Sequence, residues 1–163
     1  MGYCGTPNIE ALRQEGKAEE ADALLCGGED VLFDPMLILD MDKAKNLRHA
    51  REQVRIAAQK GAELVILPEM FCCPYSTAYF AEYGEPAGGT IWQELSALAL
   101  ENQICLVGGS FPEWEGEKLY NTCFVFGPDG HQLARHRKMH LFDVEFDGGQ
   151  HFRESDTFTP GDD

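Results

Sequence analysis

The stretch ELVILPEMFCCPYS, residues 63–76, decides how this chain folds. Its apolar run, residues 64–67, is short and rich in aliphatic side chains, which predicts a strand buried on both faces. Pro68 ends the run, and the next residue is a carboxylate, Glu69. Aromatic residues, two cysteines and a second proline follow directly. The sequence therefore places a charged group at the end of a buried strand, where it needs an explanation.

The segments around this strand predict an α/β fold. Residues 43–60 carry apolar side chains at helical spacing, and Gly61 follows where a helix C-terminus favours a residue with positive φ. The other predicted elements are a strand over residues 36–39, a helix over 90–102, a strand over 104–107 and a hairpin from 119–126 and 131–136 around a Gly-Pro-Asp-Gly turn. This order predicts a layered α/β sheet with helices packed on one face.

The first 35 residues differ from the rest of the chain. They are rich in Asp and Glu, carry glycines at both ends and contain one plausible short helix over residues 9–25. The sequence therefore divides into an acidic N-terminal appendage, residues 1–35, and an α/β domain, residues 36–163.

Charge and composition exclude several classes of partner. The chain has 28 acidic and 13 basic residues and a net charge of −15, whereas phosphate backbones and anionic membranes bind cationic surfaces. No apolar run reaches the roughly 18 residues of a membrane-spanning helix, and the N-terminus lacks the features of a signal peptide. A cytoplasmic protein is expected, with no nucleic acid and no membrane as partner. Its six cysteines are then expected to be reduced thiols.

Two side chains are candidates for chemistry. Glu69 would lie partly desolvated beside apolar residues, the environment in which a carboxylate serves as a general base, although a structural ion pair is the commoner arrangement. Lys138 lies in RHRKMHLFD, residues 135–143, just after a predicted strand. A lysine in a pocket with a carboxylate can stabilise an oxyanion, but this run could equally form a solvated basic patch.

The sequence gives little support for a metal or cofactor. His136 and His140 are four residues apart and could form a metal pair on a helix, but no third ligand has matching spacing. The glycine pairs at residues 108–109 and 148–149 do not form a phosphate-binding motif. Neither a metal nor an organic cofactor is expected.

Five segments together resemble a known family. They are LPEMF (67–71), VGGSFPE (107–113), YNTCFVFGPDG (120–130), RKMHLFD (137–143) and FRESDTFTPGD (152–162). In this order they resemble the N-terminal half of a nitrilase-superfamily carbon-nitrogen hydrolase, close to the omega-amidase branch. The resemblance covers roughly residues 43–163.

The resemblance implies a fold, an activity and three site residues. The fold would be part of an αββα sandwich, and the family's chemistry uses a Glu-Lys-Cys triad supported by a second glutamate. By motif, Glu69 corresponds to the general base, Lys138 to the lysine that stabilises the tetrahedral intermediate, and Glu154 to the second glutamate. The implied substrates are small linear amides, or nitriles if the parent enzyme is a nitrilase proper. The resemblance also implies a homo-oligomer that needs no cofactor.

The nucleophilic cysteine is where the chain departs from the family pattern. In the family it lies on a strand-to-helix turn downstream of the second glutamate, and this chain reaches Asp163 before such a strand. We therefore expect the nucleophile to be missing and the chain to be inactive alone. Cys72 or Cys73 could substitute for it, although packing in the pocket wall is favoured. Cys105 and Cys123 are expected in the core.

Two further observations favour an alternative interpretation, an inactive truncated or chimeric half-domain. Without the family's second half, the strands predicted over residues 64–67 and 104–107 are expected to have exposed edges. Residues 1–17 also resemble a segment near the C-terminus of IMP dehydrogenase, an enzyme with a different fold.

Overall fold

The structure, a computed structural model, describes residues 31–32, 41–145 and 151–162. The helix predicted over residues 9–25 and the strand predicted over 36–39 lie outside these ranges. So do residues 1–17, whose resemblance to IMP dehydrogenase stays a prediction. The division of the chain after residue 35 therefore remains a prediction.

The described residues form nine strands and three α-helices, and end with one turn of 3₁₀ helix. In chain order they are β1 (Val31–Leu32), α1 (Lys43–Gln59), β2 (Leu64–Ile66), α2 (Thr77–Tyr83), β3 (Glu85–Pro86), α3 (Thr90–Asn102), β4 (Cys105–Val107), β5 (Phe111–Glu115), β6 (Lys118–Phe126), β7 (Gln132–Arg137), β8 (Asp143–Glu145), β9 (His151–Arg153) and the 3₁₀ helix Glu154–Asp156. Within these ranges no helix has the length and apolar character needed to cross a membrane.

Seven strands form one mixed sheet in the order β1-β2-β4-β6-β5-β3, with β7 on the other edge of β6. Strands β1, β2 and β4 run parallel, and β6 is antiparallel to β4, β5 and β7. The expectation of exposed edges on β2 and β4 is wrong, because β2 lies between β1 and β4, and β4 lies between β2 and β6. Strand β1 comes from the segment that was predicted to be an appendage.

Helices α1 and α3 cover one face of this sheet. Asp42 caps α1 by accepting a hydrogen bond from Lys45 N at 3.2 Å, and Gly61 follows the helix with φ +93°. The core between helices and sheet is mainly apolar; its main members are Ala50, Val54 and Ala57 of α1, Ile91, Leu95 and Leu98 of α3, and Val65, Leu106, Phe124 and Phe126 of the strands. The helices predicted over residues 43–60 and 90–102 and the predicted hairpin are thus confirmed, with boundaries correct to within one residue.

The opposite face of the sheet presents half-buried side chains. Because neighbouring residues of a strand point to opposite faces, Val107 and Val125 alternate with the buried Leu106 and Phe124. Beside this face, a second apolar cluster joins α2 to the segment after β9; its buried members are Met70, Cys73, Phe80, Tyr83, Leu119 and Phe158. The candidate site lies between this cluster and the half-buried face.

Candidate active site

Glu69 is held at the end of β2 by the neighbouring loop. Gly109, at φ +59°, brings its backbone so close to Pro68 that an added Cβ would lie 2.1 Å from the Pro68 carbonyl oxygen. Ser110 N donates to that same oxygen at 3.3 Å, and Ser110 Oγ accepts from Met70 N at 3.2 Å. The residues on both sides of Glu69 are therefore fixed, although the Glu69 side chain itself is 48% exposed.

Lys138 directly follows β7, as the sequence predicted. Its backbone N–H donates to Asn121 O at 2.9 Å, and its carbonyl oxygen accepts from Gly161 N at 3.0 Å. The preceding residue, Arg137, is buried and donates to the buried Glu113 carboxylate at 2.9 Å, while its guanidinium lies 3.9 Å from the Tyr120 ring centroid. A buried ion pair and two backbone hydrogen bonds thus fix the position of Lys138.

Glu154 begins the 3₁₀ helix and its side chain is fully buried. Its Oε1 accepts a hydrogen bond from the Tyr75 hydroxyl at 2.6 Å, and its Oε2 accepts from the backbone N–H of Phe142 at 2.6 Å. A buried carboxylate requires such donors, because ionised groups are otherwise costly to remove from water.

The structure brings all three predicted site residues together around one ammonium group. Lys138 Nζ lies 2.8 Å from Glu69 Oε1 and 3.0 Å from Glu154 Oε2. Burial lowers the pKa of Lys138, but hydrogen bonds and charge interactions with Glu69 and Glu154 outweigh burial and raise the pKa above its ordinary value. Lys138 is therefore a cation at neutral pH, so it can stabilise negative charge but cannot act as a base there.

A cavity of about 350 Å³ opens beside these groups on the half-buried face of the sheet. Its lining combines apolar and polar side chains, namely Leu67, Glu69, Val107, Gly109, Ser110, Asn121, Cys123, His136 and Lys138. Glu69 and Lys138 both reach this cavity, so a small molecule bound there would contact a carboxylate and an ammonium group at once.

The structure separates the four described cysteines into two buried and two half-buried thiols. Cys72 and Cys73 are fully buried in the two apolar clusters and do not line the cavity. Burial raises the pKa of the Cys72 thiol and raises that of Cys73 to about 12, so both are weak nucleophiles at neutral pH. The prediction that Cys105 and Cys123 belong to the core is wrong: both are half-buried, and Cys123 lines the cavity, where burial raises its pKa.

His136 and His140, which were disfavoured as a metal pair, do not share a helix. His136 lies in strand β7 and His140 in the loop beyond it, so their spacing is not that of a helix face. In the part of the chain that the structure describes, no group of three or more His, Cys, Asp or Glu side chains is suited to hold a metal ion. The absence of a metal from the reaction remains a prediction.

Sequence reasoning missed two side chains that contact the cluster. Tyr75 lies in the stretch that decides the fold, and its hydroxyl contacts Glu154 across 79 residues of chain. Asn121 lies in strand β6 and donates from Nδ2 to Glu69 Oε1 at 2.8 Å. An asparagine in a mostly apolar strand was the available signal, because a buried amide needs a partner.

Comparisons with known proteins identify the class of this chain. The sequence model of the family described as carbon-nitrogen hydrolase matches residues 35–163. The chain belongs to the carbon-nitrogen hydrolase family. The fold agrees: it superposes on the crystal structure of Saccharomyces cerevisiae Nit3, a member of branch 10 of the nitrilase superfamily, with a TM-score of 0.66 at 38% identity, covering 77% of this chain and 45% of that one.

Within the family, the chain is similar to omega-amidases. It is 52% identical over 120 residues to the omega-amidase NIT2 of Xenopus tropicalis and, equally, to that of Mus musculus. Each alignment covers 74% of this chain and 44% of the relative. The chain therefore spans less than half the length of these omega-amidases. The resemblance on which the expected fold rested is thereby confirmed.

Proposed function

We propose that this chain carries the glutamate and lysine groups of a carbon-nitrogen hydrolase that cleaves small linear amides by thiol acyl-transfer chemistry. The observation that carries the proposal is the cluster itself, in which Lys138 Nζ lies within 3.0 Å of both Glu69 and Glu154. Glu69 and Lys138 also line one cavity. A base and a cation beside one small cavity are what acyl transfer requires.

In the proposed reaction, Glu69 accepts the proton of a cysteine thiol, and the thiolate attacks the amide carbonyl carbon. The C=O electron pair moves to oxygen, and the ammonium of Lys138 stabilises the oxyanion that forms. The C–N bond then breaks, and ammonia leaves with the proton from Glu69. Glu69 next takes a proton from water, which hydrolyses the thioester and releases the acid and the thiol. Glu154 holds Lys138 in place throughout.

The nucleophile is proposed to come from outside the described residues. Cys72 and Cys73 are buried away from the cavity, and the raised pKa of Cys123 disfavours its thiolate. By the family resemblance, the reactive cysteine is expected downstream of Glu154, beyond residue 163. A protein that lacks this thiol is expected to bind but not to hydrolyse an amide.

Other properties of the whole protein belong to the same proposal. The substrate is a small-molecule amide, with a nitrile as the alternative, and the reaction uses neither metal nor organic cofactor. The working protein is a cytoplasmic homo-oligomer that binds neither nucleic acid nor membranes. Support for these points comes from the family resemblance and from the acidic composition.

The test is ammonia release from linear amides and from the matching nitriles. The protein should include the downstream cysteine, and Glu69→Gln and Lys138→Ala should each reduce turnover of the amide by about 1,000-fold or more. Lys118→Ala, which removes an exposed lysine from the start of β6, is the matched control and should leave turnover unchanged. Full activity in both site variants would refute the assignment, and release from nitriles alone would favour a nitrilase proper.

A further inference from the structure

The two oxygens of Glu69 have different surroundings. Oε1 accepts two hydrogen bonds, from Lys138 Nζ at 2.8 Å and from Asn121 Nδ2 at 2.8 Å. Oε2 accepts no hydrogen bond from any residue that the structure describes. Because a carboxylate oxygen has two lone pairs in its plane, Oε1 is saturated and Oε2 is free.

Asn121 contacts both Glu69 and Lys138. Its side chain donates to Glu69, and its carbonyl oxygen accepts from the backbone N–H of Lys138 at 2.9 Å. Asn121 is 3% exposed and lies inside β6, between strands β5 and β7, so its own position is fixed. One rigid residue thus sets the positions of a carboxylate and of the lysine that contacts it.

We propose that Asn121 is a positioning residue that locks Glu69 Oε1 against Lys138 and thereby leaves Glu69 Oε2 as the atom that accepts the proton. Protonation at Oε1 would require the loss of a hydrogen bond from Asn121 or from Lys138, whereas protonation at Oε2 leaves both intact. The carboxylate can therefore take and return a proton without moving. This inference rests on the proposed function for its catalytic meaning, but its structural part can be tested without catalysis.

Asn121 is needed because, among the described residues, only Asn121 and Lys138 hydrogen-bond the Glu69 side chain. The Glu69 side chain is 48% exposed, and a mobile carboxylate at the surface would spend part of its time in solvent. Without Asn121, the contact between Glu69 and Lys138 should weaken. The pKa of Lys138 reports this change, because hydrogen bonding and charge interactions with Glu69 are among the causes that raise it.

The first experiment is an ¹⁵N-lysine NMR titration of the chain and of three variants. Asn121→Ala removes the donor and should lower the titration midpoint of Lys138 by about half a pH unit or more. Asn121→Asp keeps the side-chain shape but places a carboxylate near Lys138, so the midpoint should rise. Asn102→Ala, which removes an amide that bonds Leu98 O at the end of α3, is the matched control and should leave the midpoint unchanged.

If Asn121 only packed within the sheet, the loss of its amide in Asn121→Ala would leave the Lys138 midpoint unchanged. An unchanged midpoint in Asn121→Ala would overturn the proposal. Should that variant fail to fold, the nearly isosteric Asn121→Leu, which also lacks the donor and adds no charge, decides, and an unchanged Lys138 midpoint in it would overturn the proposal as well.

The second experiment measures amide hydrolysis in the protein that includes the downstream cysteine. Both Asn121 variants should lose about 10- to 100-fold in kcat with little change in KM, because the base is misplaced while the cavity remains. In Asn121→Asp the acidic limb of the pH–rate profile should also move to higher pH. Normal kcat in both variants would overturn the positioning role while leaving the proposed function intact. A Lys138 shift without any hydrolysis, even by the unaltered protein, would instead refute the proposed function alone.

Discussion

The ammonium group of Lys138 carries one positive charge between two carboxylates, so the cluster of Lys138, Glu69 and Glu154 has an excess of negative charge. Neutral donors offset this excess: the Tyr75 hydroxyl and the Phe142 N–H contact Glu154, and the Asn121 amide contacts Glu69. Each carboxylate therefore has a neutral hydrogen-bond donor in addition to the cation that the two share.

The Tyr75 hydroxyl provides a test at the scale of single residues. Tyr75→Phe keeps the ring contacts with Phe152 and Phe80 but removes the donor to the buried Glu154 carboxylate. A hydrogen bond to a charged group contributes about 1.5–3 kcal/mol, so the free energy of unfolding should fall by about that amount. Urea unfolding of the chain measures this loss.

Tyr79→Phe is the matched control for this change. The Tyr79 hydroxyl makes no hydrogen bond to the described residues, although its ring contacts Tyr83 at 6.4 Å between centroids. Its removal should change stability by less than about 0.5 kcal/mol. Equal effects of the two substitutions would contradict the role given to Tyr75.

At the scale of secondary-structure elements, the loops that follow β2 and β4 form one unit. Hydrogen bonds from Ser110 to Pro68 and from Met70 to Ser110 join the two loops, and Gly109 permits the close approach. Glu69 lies in the first of these loops. Its position therefore depends on the second loop, some 40 residues away in sequence.

Gly109→Ala tests this dependence, with Gly116→Ala as its control. Both glycines have positive φ, +59° and +61°, so both substitutions carry the backbone cost of about 1–2 kcal/mol. Only at Gly109 does an added Cβ meet the Pro68 carbonyl oxygen, at 2.1 Å, whereas nothing lies within 4 Å at Gly116. Gly109→Ala should therefore destabilise the chain by about 1–3 kcal/mol more than Gly116→Ala. Equal losses in urea unfolding would show that the close approach is unimportant.

The regular elements were predictable because their patterns are local. The apolar stripe of α1, the run that became β2 and the Gly-Pro-Asp-Gly turn between β6 and β7 each indicate one structure within a short window. Helix α2 and strands β1, β3, β5, β8 and β9 were missed. Strand β5 contains Pro112, which argues against a strand, and the other four strands have only two or three residues each, too few to show a period.

At the scale of the whole molecule, the sheet joins residues that are far apart in sequence. Glu69 follows β2, Lys138 follows β7 and Glu154 follows β9. The fold brings both carboxylates within 3.0 Å of the ammonium nitrogen of Lys138. Motifs shared with a family predicted these three residues. The contacts of Tyr75 and Asn121 could not be predicted, because each depends on pairing between segments at least 50 residues apart.

The central claim is that Glu69 and Lys138 act as one catalytic unit, and a double-mutant cycle tests it most directly. The measurement is kcat/KM for amide hydrolysis, in the protein that includes the downstream cysteine, for Glu69→Gln, Lys138→Ala and the two combined. Residues that act as a unit give non-additive losses, so the double variant should be no slower than the slower single variant. Losses that multiply in the double variant would contradict the account, because they would show that the two residues act independently.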